Sequence, residues 1–280
     1  MFRAQLRNEL WKLFGKKRTY IGFGAFVLAQ TLMLLIFKFT RWQHLFEQLL
    51  AGNGYLASEY ISALTVAQLM LVPQIILLLP LYVTLVGGDL VAKEAEDGTL
   101  RMILSRPISR VRLLLVKWVA GGLFSAVLVL ALGVIALGFA RILFPWKGMF
   151  VFGEEPTPLF GLFSAADGVR LYLLAQVFIA ANAVVMMSVA GMFSCFNMKP
   201  AAATILALSY MFLSMVLEHI PFFETWQDWF ITHHFAMWVY VYQAPIPWPQ
   251  ILQSELILLA ITATTFVVGA LVFHVRDIKS

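Results

Sequence analysis

The chain is predicted to be an all-α integral membrane protein: six transmembrane helices, an N-terminal interfacial amphipathic helix, and a short cytoplasmic helix between spans 2 and 3. Three observations carry this. Of 280 residues, 61% are hydrophobic and 12% charged, with a mean hydropathy of +0.85. A soluble chain keeps roughly a quarter of its residues charged, so too little polar surface remains here to coat a globule. Six apolar runs approach the roughly twenty residues that a helix needs to cross hydrocarbon. Finally, Lys and Arg gather in alternate connecting segments.

The runs fall at about 20–39, 65–88, 114–139, 169–193, 201–217 and 251–273, within a single transmembrane domain over 1–280. The basic stretch before the first run imitates a signal peptide. That run is too long for one, however, and ends in Phe37-Lys38-Phe39-Thr40 without a small-residue cleavage site, so it is predicted to stay attached. Pro73 and Pro80 lie within the second run and should kink it, because neighbouring helices can satisfy the carbonyls they free. Ahead of the first span, over 1–18, Phe2, Leu6, Leu10, Leu13 and Phe14 recur at helical spacing, with Gln5, Glu9 and Lys12 on the other side. Such a pattern predicts a helix lying on lipid.

Orientation follows from the basic residues. Arg3, Arg7, Lys12, Lys16, Lys17 and Arg18 precede span 1; Lys93, Arg101, Arg106, Arg110, Arg112 and Lys117 lie between spans 2 and 3; Lys199, Arg276 and Lys279 follow the fourth and sixth spans. The opposite segments hold only Lys38, Arg41, Arg141, Lys147 and Arg170, and 218–250 holds none. Both termini are therefore expected in the cytoplasm, with Cys195 at the inner end of span 4. The outer loops, 140–168 and 218–250, are rich in Pro, Gly and aromatics, including Trp226, Trp229, Trp238 and Trp248. Aromatic amphiphiles concentrate at the headgroup level, which predicts short helices in the outer interface.

Several chemistries are excluded. There is no phosphate loop, no H-E-x-x-H and no G-x-S-x-G, so no catalytic residue and no cofactor is assigned to this chain. One cysteine excludes an intramolecular disulfide and a cysteine-based zinc site. No span carries an acid near its middle, which disfavours an ion-coupled carrier; Gln30, Gln68, Gln74, Gln176 and Asn182 there predict interhelical hydrogen bonds. His233-His234 with His219, His44 and scattered methionines do not make a metal path, since adjacent histidines rarely chelate one ion and methionine packs helices well. The pI near 9.4 reflects membrane orientation, not nucleic acid.

The remaining signal is the charged island 87–118, whose centre, 89–112, is predicted as a loop. Glu94, Glu96 and Asp97 read as a solvated or partner-facing cluster. Asp97 or Thr99 can cap a short helix after Gly98, with Leu100, Ile103 and Leu104 as its apolar face and Pro107 as its stop. Ser109 can cap the next helix, through Arg110 and Arg112 into span 3.

The run E-A-E-D-G-T-L-R-M-I-L-S-R-P-I-S-R, with Lys117 seven residues after its last Arg, resembles the signature loop of ABC-2 type permeases, the membrane subunits of ATP-binding-cassette exporters. The ending F-H-V-R-D-I-K is similar to the way those permeases leave their last span. The resemblance implies a half-transporter in the plasma (inner) membrane of a prokaryote that forms a homodimer or heterodimer. It implies a separate ATP-binding subunit carrying ATP and Mg, and a coupling helix between spans 2 and 3 that inserts into that subunit. Contacts would then come from Glu94, Glu96, Asp97, Gly98, Thr99, Leu100, Arg101, Leu104, Arg106, Pro107 and Arg110. Walls without charges favour a hydrophobic or amphipathic cargo. The alternative is a non-transporting membrane scaffold or assembly factor that docks a cytosolic protein through the same loop.

Overall fold

A computed structural model describes residues 2–105, 108–153 and 159–276. Among them, six helices are long and apolar enough to cross a membrane: Lys17–Phe39, Ala63–Glu96, Arg110–Leu143, Ala165–Cys195, Pro200–Glu218 and Trp248–Val275. In chain order the helices are α1 Phe2–Gly15, α2 Lys17–Phe39, α3 Trp42–Gly52, α4 Ala57–Tyr60, α5 Ala63–Pro73, α6 Leu79–Glu96, α7 Thr99–Leu104, α8 Arg110–Leu143, α9 Ala165–Cys195, α10 Pro200–Glu218, α11 Ile231–Phe235 and α12 Trp248–Val275.

The two prolines bend the second span without ending it. Between α5 and α6 the chain widens into a π turn, Gln74–Leu78, in which Leu79 N–H reaches back to the Gln74 carbonyl. Gln74 N–H turns to the Leu71 carbonyl, and its side-chain Nε2 donates to the Met70 carbonyl at 2.8 Å. A π turn is a common way to absorb such an interruption.

Burial sorts the spans. In α9, 67% of the apolar window is buried, against 22% in α2 and in α12, so α9 is the axis of the bundle and α2 and α12 present most of their surface outward. Close approach to the axis depends on Gly87: a Cβ there would collide with the Met187 carbonyl and Ala190 of α9. Polar ties cross the apolar packing. Trp118 Nε1 donates to Ser188 Oγ at 3.0 Å, Tyr172 OH to the Gly133 carbonyl at 2.7 Å, and Gln30 Nε2 to the Leu132 carbonyl at 3.0 Å. Such contacts contribute roughly 1 kcal/mol each inside a membrane.

Two segments depart from the sequence expectation. The apolar face of α1 is turned to the protein: Leu6, Leu10, Leu13 and Phe14 pack on Val86, Ala120 and Phe124, and Arg3, Arg7 and Trp11 face outward. The seat is apolar because Val86, Ala120 and Phe124 belong to the apolar runs of α6 and α8, and α1 covers them. In 140–168 the predicted short helices give way to an antiparallel hairpin of β1 Met149–Gly153 and β2 Leu159–Phe163, in register Met149↔Phe163 to Gly153↔Leu159. Runs of Phe, Val and Leu suit a pleated strand better than a helix turn, and Phe150 N–H is held by Thr65 Oγ1 at 2.9 Å. The segment 218–250 does form short helices: 3-10 turns Pro221–Trp229 and Ala236–Tyr242 on either side of α11. We call the end of the bundle that carries α1 and α7 the basic end, and the end that carries the hairpin and α11 the aromatic end.

Candidate functional site

At the basic end α6 stays helical through Glu96, so the acids predicted in a loop sit on the last turns of a helix. Asp97 is its C-cap, with N–H to the Lys93 carbonyl, and Gly98 follows at φ 69. That left-handed turn strongly favours glycine, and it reverses the chain into α7. Neither Asp97 nor Thr99 caps α7 by its side chain. Thr99 Oγ1 donates back to the Glu94 carbonyl at 3.3 Å, and Asp97 and Glu96 pair with Lys93 at 3.1 and 2.8 Å. Ser109 does cap α8, accepting from Arg112 N–H at 3.3 Å.

The apolar face predicted for docking points inward. Leu100 is 1% exposed, and Ile103 and Leu104 pack against the core; this fixes α7 to the bundle. Outward stand Arg101, Met102 and Ser105, beside Glu96, Asp97 and Gly98, with Met102 68% exposed. Arg106 and Pro107 lie outside the described residues, as does Lys279.

Glu94 is turned in as well. Its Oε1 lies 2.7 Å from Lys117 Nζ and 3.1 Å from Lys12 Nζ, while Glu9 takes Lys117 at 3.0 Å and Lys12 at 2.7 Å. Two acids and two lysines thus fasten α1 to α6 and α8. Burial works against the Glu9 charge, but Lys117 and Lys12 outweigh it and hold the carboxyl below its ordinary range. Burial likewise opposes the Lys12 charge, and Glu9 and Glu94 overcome it and raise its pKa. A second knot joins Asp89 to Arg18 at 3.2 Å and Lys16 at 3.7 Å. Glu9, Lys12, Lys16, Asp89, Glu94 and Lys117 line a cavity of about 490 Å³.

Two arginines close the circuit. Arg110 donates to the carbonyls of Phe273, His274 and Arg276 at 3.1, 2.9 and 2.8 Å, and Arg276 donates to those of Cys195 and Phe196 at 3.2 and 3.1 Å. A cation on the free carbonyls of a helix C-terminus is favourable. The ends of α12 and α9 are thereby tied to the start of α8. Glu9, Asp89 and the capping role of Arg276 were missed by sequence reasoning. Their one visible signal is that opposite charges border several apolar runs at once.

At the aromatic end a cavity of about 780 Å³ opens between α5, α6, α9 and α10, beneath the hairpin and the 3-10 turns. Gln68 and Asn182 stand on its wall; Gln68 Oε1 accepts from Tyr242 OH at 3.0 Å, and Asn182 Nδ2 donates to the Phe235 carbonyl at 2.9 Å. His233 Nδ1 faces Glu218 Oε1 at 3.3 Å; this hydrogen bond raises the imidazole pKa. His234 lies behind it, its Nε2 donating to the Asp228 carbonyl and its Nδ1 accepting from Ser254, and burial lowers its pKa. Both rings are engaged by protein groups. Among the described residues no cluster of three or more His, Cys, Asp or Glu is placed to hold a metal.

Six membrane-length helices with α9 at their centre, and a short helix anchored at the bend between spans 2 and 3, define a multi-pass α-helical membrane protein. The model of the ABC-2 family transporter proteins matches residues 11–223, and the chain belongs to that family. It is therefore the transmembrane permease of an ABC transporter, a class of subunit that works with an ATP-binding partner. No match to an individual curated protein was found.

Proposed function

We propose that this permease is half of an ATP-driven exporter in the inner membrane of a prokaryote, with its basic end in the cytoplasm, and that it functions as a homodimer or heterodimer. ATP and Mg bind the partner subunit. The partner docks on the turn and outer face made by Glu96, Asp97, Gly98, Arg101, Met102 and Ser105. Glu94, Thr99, Leu100, Leu104 and Arg110 act from inside, holding that face on the bundle. The cargo is hydrophobic or amphipathic.

The observation that carries this is the anchoring of α7. A six-residue helix cannot hold its own shape in water, but one fixed through Leu100 to the core and through Gly98 to α6 moves only when the bundle moves. A push from a closing ATPase then passes through α6 to α9, through Arg110 to α12, and through Lys117 to α1. The alternating basic segments support the orientation.

The test separates docking from folding. Met102→Asp puts a charge on the exposed face, where it costs the isolated permease little; in a desolvated contact it costs several kcal/mol. The variant is expected to insert and fold like the parent, to lose capture of the co-expressed ATP-binding subunit, and to lose coupled ATP hydrolysis in vesicles. Wild-type association and coupling in Met102→Asp would assign the loop to a scaffold or to topology alone.

A further inference from the structure

We infer that the cavity at the aromatic end is a binding site for hydrophobic organic cations, resting on the transport function proposed above. Its volume, about 780 Å³, lies within the roughly 300–1,000 Å³ of small-molecule sites. Branched aliphatic side chains of the bent second span and the thioethers of Met186, Met211 and Met215 form the apolar part, and thioethers adapt to bodies of differing shape.

The polar part selects the charge. No lysine or arginine is among the described residues of the lining, which has Glu218 as its one acid. Trp238, Tyr240 and Phe235 line the same space, and aromatic rings attract cations. Asn182 spends its amide N–H on the Phe235 carbonyl and keeps Oδ1 without a hydrogen-bond partner among the described residues. A carboxylate, a carbonyl oxygen and aromatic rings stabilise a positive centre, whereas the donor without a partner on the same wall among the described residues, Gln68 Nε2, carries no charge to hold an anion. The groups that face Glu218 are His233 and His234 of α11 and His219 next to it in sequence, and Asp228 of the preceding 3-10 turn faces the two α11 histidines. Of these His233 makes the direct contact, so a bound cation and the His233 proton compete for one carboxylate.

Two ions of nearly equal shape and opposite charge, tetraphenylphosphonium and tetraphenylborate, test this by equilibrium dialysis against the full-length permease in zwitterionic nanodiscs, with empty nanodiscs subtracted. Saturable binding of the phosphonium is expected, about tenfold or more tighter than that of the borate. Its affinity should rise with pH as His233, whose pKa the Glu218 hydrogen bond lifts above the ordinary imidazole value, gives up its proton. Glu218→Gln, which keeps a hydrogen-bonding side chain beside His233, should weaken the phosphonium about fivefold or more, leave the borate unchanged and flatten the pH dependence. Equal binding of the two ions, no saturable phosphonium binding, or an unchanged phosphonium affinity in Glu218→Gln overturns the site. If Glu218→Gln does not fold, the wild-type comparison of the two ions decides alone. Because no ATP-binding subunit is present, a failure here leaves Met102-dependent docking to be judged separately, and a failure of docking leaves this binding intact.

Discussion

Lys117 is 2% exposed with the carboxylates of Glu9 and Glu94 within 3.0 Å, so its charge is tolerated only because both acids are there. Removing one member of a buried ion cluster strands the others. Lys117→Met is expected to cost about 3 kcal/mol and to lower the melting temperature of the detergent-purified protein. Adding Glu94→Gln should recover part of the loss; strictly additive effects would mean that the two side chains do not interact. Glu9 gives the pH dependence. Its folded pKa lies below its unfolded value, so its contribution is fully present above about pH 4.3 and is lost as pH falls through the lower folded value. Hydrogen exchange should show α1 loosening first on acidification, and in Glu9→Gln that pH-dependent step should shrink.

At the scale of elements, α7 is a lever whose stiffness comes from its two ends. Gly98→Ala forces an L side chain into a left-handed turn and is expected to cost about 1–2 kcal/mol. Leu100→Ala empties a core position that is 1% exposed and should cost about 2–5 kcal/mol. In both variants, amide exchange should rise over Thr99–Leu104 more than in α9. The ATP-binding subunit should still be captured, weakly, because the outer face is intact. Met102→Asp should show the reverse: native protection and no capture. A common phenotype in all three would mean that α7 has no separate inner and outer roles.

For the whole molecule the open matter is which end faces the cytoplasm, and the structure changes how it must be tested. Cys195 has no exposed surface, so the native thiol should stay silent toward a thiol reagent from either side of the membrane. Asn53 and Thr225 are exposed at the aromatic end, and Asn8 and Met102 at the basic end. Single substitutions to Cys should label with an impermeant maleimide in intact cells at Asn53 and Thr225. At Asn8 and Met102 they should label only after the membrane is opened. The opposite pattern would invert the orientation and place α7 outside, away from any ATPase.

Span number and the starts of α7 and α8 were legible in the sequence because each depends on a few neighbouring residues: run length for the spans, Gly98 for the start of α7, Ser109 for the start of α8. Composition alone also pointed to a membrane bundle, and the 87–118 motif to its family. What faces what was settled only by the tertiary structure. Leu100, Ile103 and Leu104 have the spacing of a docking face, yet they pack inward because the hydrophobic core offers them an apolar seat. Glu94 looks solvated until Lys117, a helix away, is brought beside it. Arg110 meets the end of α12, and Arg276 the end of α9, across separations of eighty residues or more, and the cavity at the aromatic end draws its walls from residues as far apart as Phe46 and Tyr242. Hydrophobicity and turn chemistry are local and can be read along the chain; burial, ion pairing and cavities are properties of distant partners, and only folding brings those partners together.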